Sequence, residues 1–179
     1  MTILRLYEYP DPILHQKAEA VCKIDDEIRA FLDDMLETMY ADHGVGLAAP
    51  QVGVSKRMIV IDPFLEDDEE TGTKKPGKPM FLINPEIIYK SEETIIFCEG
   101  CLSVPGQSAD VERHQIIKVR YQDKTGKTCE IEAEDYVAVV LQHEIDHLDG
   151  ILYIDHLSRL KRNMLLKKLE KARAEKEKK

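Results

Sequence analysis

The chain has 179 residues, 43% of them hydrophobic and 33% charged, enough to bury one core and too few to require two, so one domain spanning 1–179 is expected. No run of about eighteen apolar residues offers a bilayer span, and the segment from Met1 to Tyr7 lacks the long apolar region of a secretory signal. These features point to a cytoplasmic protein with no membrane partner.

The four cysteines, Cys22, Cys98, Cys101 and Cys129, are then read as reduced thiols open to metal binding or catalysis rather than as a disulfide framework. The formal net charge of −9 is uneven, with +7 on residues 157–179 and −16 on the rest. A basic tail can turn toward a polyanion such as RNA, or be only a solvated helix surface; nothing in the pattern asks for DNA.

Along the chain, Asp11-Pro12 marks a turn or short helix start. Asp25 is placed to cap a helix whose Ile28, Phe31, Leu32, Met35, Leu36 and Met39 recur at helical spacing and which should end near Gly44. Residues 44–51, Gly-Val-Gly-Leu-Ala-Ala-Pro-Gln, fit neither period and read as a constrained loop or edge segment leading into a strand at Met58–Ile61. Residues 66–79, acidic and then rich in Gly, Pro, Lys and Thr, read as a mobile surface loop. Strands are expected at Phe81–Asn84, Ile87–Tyr89, Thr94–Phe97, Ile116–Tyr121 and Cys129–Glu132, the last two joined as a hairpin across Asp123–Gly126. A helix from Asp135 to a stop at Gly150 follows, then a last helix from about Ser158. This order argues for an α+β domain, with antiparallel or mixed sheets packed around the helix at 135–150 and a C-terminal helix beside them.

The strongest local signal is His143-Glu144-Ile145-Asp146-His147. Two imidazoles one helical turn apart share a face and can hold one metal ion, with Glu144 beside them as a base. A surface helix that happens to carry two histidines is the plain alternative. However, Val140, Leu141, Ile145 and Leu148 mark the helix as buried, and buried imidazoles need partners. The third ligand divides the functional readings. A zinc endopeptidase would take it from downstream, where Asp149, Asp155 and His156 are the candidates, no Glu appears before Glu170, and His156 does not fit the Gly-containing spacing of the longer protease motif. Cys98 and Cys101 together with both histidines would make a closed structural zinc site, in which Glu144 has no task. A single cysteine would leave one position open for water, as a hydrolytic centre requires.

Glu99-Gly100-Cys101-Leu102-Ser103, taken with residues 44–51 and with Gln142–His147, resembles the three signature motifs of the peptide deformylase family, in order and without a visible departure. The resemblance extends from the first residues to the C-terminal helix, and the basic tail is similar to that of the bacterial type I branch. It implies an enzyme that removes the formyl group from the N-terminal methionine of new polypeptides. It further implies Cys101, His143 and His147 as metal ligands, Glu144 as acid and base, and Gln51 with the Leu102 N–H as the oxyanion-stabilising pair. Fe(II) is the implied working ion, with Zn(II), Ni(II) or Co(II) as substitutes in purified protein. N-formylmethionyl nascent peptides are the implied substrates, and the ribosome is an implied partner of the basic helix.

For the methionine pocket, Val45, Val139 and Val140 are expected to line the site, with ordinary core packing as the alternative. Gly46 and Gly100 are expected to be small so that a peptide backbone can approach, and Gly44 reads as a helix C-cap. Arg113 matches an arginine that follows the cysteine motif in the family, and is expected to pair with Glu99 or to touch substrate. Cys22, Cys98 and Cys129 read as core cysteines. His15, His43, His114 and His156 read as surface or otherwise satisfied histidines.

Overall fold

Asp25 opens the first helix as its position implies, its carboxylate accepting the Ile28 N–H at 3.2 Å. The helix, α1 (Asp26–Ala41), buries Leu32, Met35, Thr38 and Met39. It ends in a Schellman pattern, with His43 N–H donating to the Tyr40 carbonyl and Gly44 N–H to that of Met39. The left-handed residue there is His43, with φ of 56°, rather than the expected Gly44. A computed structural model supplies these coordinates and describes residues 2–64, 66–67, 74–75 and 77–176.

Among the described residues nine strands follow or flank the motifs: β1 (Gly46–Ala48), β2 (Met58–Ile61), β3 (Glu66–Asp67), β4 (Lys74–Lys75), β5 (Met80–Lys90), β6 (Thr94–Cys101), β7 (Val104–His114), β8 (Ile116–Gln122) and β9 (Thr128–Glu134). They form a five-stranded sheet in the order β1-β2-β5-β8-β9 and two separate pairs, β3-β4 and β6-β7, antiparallel throughout. The expected surface loop at 66–79 falls largely outside the described residues; only β3, β4 and residues 77–79 of it are seen.

The sheet is covered on both faces, which is why β2 reads as a continuous apolar run. One face, with Ile59, Ile61, Leu82, Ile117 and Val119, packs on α2 (Asp135–Leu148) through Ala138, Leu141, Ile145 and Leu148. The opposite face, with Met58, Val60 and Ile83, packs on α1. A third cluster joins Leu14, Val104, Val111, Tyr153 and Ile154 to Leu165 and Leu169 of α3 (Arg159–Lys176). Each such side chain is worth about 1.5–3 kcal/mol when fully buried.

Several expectations are corrected. The two strands foreseen at 81–84 and 87–89 are one, β5; Asn84 with φ of 52° and Pro85 bend it through a register shift against β8 instead of ending it. The strand β7 was not foreseen. Leu160 and Met164, whose spacing with Leu157, Leu165 and Leu169 predicts one apolar stripe docking the last helix on the body, are exposed at 72% and 54%. Cys22 and Cys98 are exposed rather than in the core, and Cys129 is half-buried.

Candidate metal centre and cleft

β6 and β7 meet at Cys101 and Val104, so Leu102 and Ser103 form the tight turn between them. Along β6 the period of two places Glu99 and Cys101 on the face toward α2, and Cys98 on the outer face. On α2, His143 and His147 lie one turn apart with ring centroids 5.0 Å from each other. Ligand atoms of Cys101, His143 and His147 all fall within 4.8 Å of one another, and among the described residues no other such group exists. Cys98 is not part of it. Asp149 pairs with Arg57, Asp155 with Arg162, and His156 with Asp146. Neither the closed Cys2His2 arrangement nor a downstream third ligand therefore has support in the geometry.

Each donor is held from behind. His143 Nδ1 meets the Glu99 carboxylate at 2.7 Å, which leaves Nε2 for the centre. His147 Nε2 is 3.3 Å from Cys101 Sγ. Burial opposes a thiolate at Cys101, yet the adjacent His147 and His143 hold the thiol well below its ordinary value. Burial likewise opposes an imidazolium at His143, but hydrogen bonds to Cys101 and Glu99 raise it well above the usual histidine range. A divalent ion would take the place of these shared protons. The donor set of one sulfur and two imidazoles suits a transition metal with a position left open, and the buried Glu144 Oε2 beside it has no partner among the described residues. The residues fit an ion.

Glu144 is buried at 4% exposure, and burial pushes its carboxyl up to about 7, with His143 and His147 pulling the other way. Its carboxylate sits over Gly46 in β1: a Cβ there would lie 2.3 Å from Oε1. Gly46 thus makes room for Glu144, a reason for its size apart from the expected approach of a peptide. Gln51, 2% exposed, lies in the 3-10 turn Ala49–Val52. Its Oε1 accepts the Ala48 N–H at 2.8 Å, which turns Nε2 toward Ser103 Oγ at 3.1 Å and Cys101 Sγ at 3.4 Å.

These groups stand at the floor of a cleft of about 610 Å³, lined among others by Val45, Gly46, Gly100, Leu102, Val139 and Val140. Val139 and Val140 are at the same time nearly fully buried, and Val140 belongs to the core. A Cβ at Gly100 would meet only the Gln107 carbonyl, at 3.5 Å. Phe97 and Tyr136, unforeseen as lining, close one side with their rings 5.4 Å apart. Arg113 does not line the cleft; buried, it holds Glu99 through Nε at 2.6 Å and Nη2 at 3.0 Å. The contact of Glu99 with His143 was not anticipated, although its place two residues before Cys101, on the same strand face, is the signal that carries it.

Residues 3–163 match the family described as Polypeptide deformylase. Among curated relatives, the peptide deformylase of Rickettsia akari is 51% identical, with 96% of this chain and 97% of that protein covered. That of Rhizorhabdus wittichii is 52% identical, with 97% of each covered. Among solved structures, peptide deformylase from Ehrlichia chaffeensis superposes with a TM-score of 0.87 at 43% identity, covering 98% of this chain and 99% of that one. A second structure of that protein, at a TM-score of 0.85 and 43% identity and covering 96% and 98% of the two chains, is a complex with actinonin.

Proposed function

The chain belongs to the polypeptide deformylase family, metal-dependent hydrolases that remove the N-formyl group from new polypeptides, and we propose that Cys101, His143 and His147 hold its ion while Glu144, Gln51 and Leu102 carry the proton and charge. The observation that carries this reading is the three-donor group opening onto a cleft at whose floor Glu144 keeps a carboxylate oxygen with no partner among the described residues. When bound, a divalent ion would acidify a water molecule and polarise the formyl carbonyl.

Glu144, with a pKa near neutrality, accepts a proton from the attacking water. As the water oxygen bonds to the formyl carbon, negative charge grows on the formyl oxygen. The Gln51 Nε2 and the Leu102 N–H, which a two-residue turn leaves outside its own closing bond, donate to that charge. Glu144 then gives its proton to the departing amine nitrogen, the C–N bond breaks, and formate leaves. Val45, Val139 and Val140 take the methionine side chain, while Gly46 and Gly100 leave the walls low enough for the peptide. Arg113 acts from behind, through Glu99.

The test is formate release from a short N-formylmethionyl peptide by metal-loaded protein beside Glu144→Gln. Loss of roughly 10²–10⁴-fold in kcat with metal content retained is expected; unchanged turnover would remove Glu144 from the role. Fe(II) is proposed as the working ion in a cytoplasmic setting, with Zn(II), Ni(II) or Co(II) as substitutes. Its thiolate ligand makes activity sensitive to air, and equal half-lives under air and argon would count against it. The basic α3, with Arg159, Lys161, Lys167 and Lys168 around exposed Leu160 and Met164, is proposed to dock on ribosomal RNA. Ribosome binding should weaken steeply with salt, and should persist unchanged in a chain ending at Ser158 only if this idea is wrong.

A further inference from the structure

Behind His143 the run of partners continues beyond Glu99, from the buried Arg113 to the half-buried Asp146 and the exposed His156. Arg113 grips both Glu99 oxygens and turns its remaining arm, Nη1, to Asp146 Oδ2. The same Oδ2 meets His156 Nε2 at 2.7 Å, and His156 Nε2 is 3.3 Å from Arg113 Nη1. His156 ends the 3-10 turn Tyr153–His156, and the first residue of that turn also reaches the centre. The Tyr153 ring, 1% exposed, stacks on the His143 ring at 6.1 Å with planes 23° apart, and its hydroxyl donates to the Gln107 carbonyl at 3.1 Å. The turn is itself pinned, by Asp155 Oδ2 accepting the Leu152 N–H and by Asp155 pairing with Arg162 of α3.

We propose that this turn, through Tyr153 and His156, positions the ligand His143: Tyr153 sets the plane of its ring, and His156 holds Asp146 and Arg113 so that Glu99 stays on Nδ1. Asp146 is partly open to water, with 22% of its side chain exposed. Without His156, its carboxylate has, among the described residues, only Arg113 to hold it and can rotate outward. Arg113 then loses one of its two anchors, and the tilt of the guanidinium passes to Glu99 and to the tautomer and orientation of His143. A group that touches a metal ligand directly is worth roughly 10–100-fold in metal affinity. His156 acts through three intermediates, Asp146, Arg113 and Glu99, so its effect should be smaller, about threefold to tenfold. Both are positioning residues; neither lines the cleft.

The proposal rests on His143 being a ligand, and the experiment separates the two ideas. Cobalt(II)-loaded protein is compared with His156→Ala, with His156→Gln, whose amide nitrogen falls where Nε2 lies, and with His156→Asn, one bond too short to reach Asp146. Measured are the visible bands of the cobalt centre, the rate of ion loss to a chelator, kcat and KM for an N-formylmethionyl peptide, and the melting temperature of the metal-free protein. Expected for Ala and Asn are shifted bands, ion loss about threefold to tenfold faster, and kcat lowered at constant KM, with Gln restoring most of each. The Asn variant gives the same reading should Ala not fold. Bands and ion loss identical to the parent in both Ala and Asn, with only melting altered, would make His156 a brace of the fold and overturn the proposal. Absence of a thiolate-to-cobalt band in the parent protein would overturn the ligand assignment and this inference with it.

Discussion

Gly46 and Gln51 show how much of the site depends on single atoms. In Gly46→Ala the new methyl would overlap the Glu144 carboxylate, whose Oε1, Cδ and Cγ all lie within 2.8 Å of the Cβ position. Either the carboxylate retreats or β1 moves. Overpacking of this kind costs about 1–3 kcal/mol, and here it falls on the proposed proton carrier. A kcat lowered at least about tenfold, with metal content unchanged, is expected; normal turnover would mean that Glu144 works from another position. Gln51→Leu removes a proposed oxyanion donor, for which a loss of about 3 kcal/mol, on the order of 100-fold in kcat, is expected. It also leaves the buried Ala48 N–H without its acceptor, so melting should fall as well. The histidines one turn apart were legible in the sequence because the helix period alone brings them together. The tie between Gly46 and Glu144 was not, because it spans the fold and leaves no local pattern.

At the scale of the element, Asp62 closes the base of the segment between β2 and β5. Fully buried, it accepts Tyr40 Oη at 2.7 Å and Gly77 N–H at 2.9 Å on Oδ2, and Lys78 N–H at 3.0 Å and Phe64 N–H at 3.3 Å on Oδ1. In Asp62→Asn the amide nitrogen faces two backbone N–H groups in the Oδ1 position, or the Gly77 N–H and a Tyr40 hydroxyl that must turn round to accept in the Oδ2 position. With charged hydrogen bonds worth about 1.5–3 kcal/mol each and unsatisfied buried groups costing about as much, a loss of about 3 kcal/mol is expected. That is roughly 6–12 °C of melting temperature for a chain of this size. Deformylation at low temperature should be untouched, since Asp62 does not line the cleft; loss of activity without loss of stability would refute the anchoring role.

β7 shows why an element of this size escapes sequence reading. Pro105, Gly106, Gln107, Ser108 and Asp110 are poor strand formers, and Arg113 occupies an inward position where the alternation calls for an apolar residue. That position is stable because Glu99, on the neighbouring strand, and Asp146 of α2 supply the opposite charge. The strand is a product of pairing with β6, and β6 was legible through Ile95, Ile96 and Phe97.

Across the whole molecule, the outer helix and the ion each tie parts together that are far apart in the chain. The apolar residues of α3 were visible in sequence, but the side they turn inward was not. Leu165 and Leu169, one turn apart, are buried, whereas Leu160 and Met164 face outward among basic residues. Leu169→Ala should therefore cost about 2–5 kcal/mol, while Leu160→Ala should leave melting nearly unchanged; equal effects would mean that the helix docks through a different stripe.

The ion acts on the same architecture from inside. Cys101 closes the β6-β7 pair, whereas His143 and His147 belong to α2, which packs on the five-stranded sheet. A bound ion joins these two bodies, and it binds only where folding has brought them together. At an ion concentration a thousandfold above Kd, the folded state gains about 4 kcal/mol, or roughly 8–16 °C of melting temperature. A chelator should remove that increment, and hydrogen exchange should rise first along β6 and β7 and last in the central strand β5. The gain should shrink in Cys101→Ala, where the hairpin no longer supplies a ligand. An equal chelator effect in that variant would place the ion elsewhere on the chain, and protection lost evenly over both sheets would mean that the metal stabilises the domain as one unit instead of clasping the hairpin to α2.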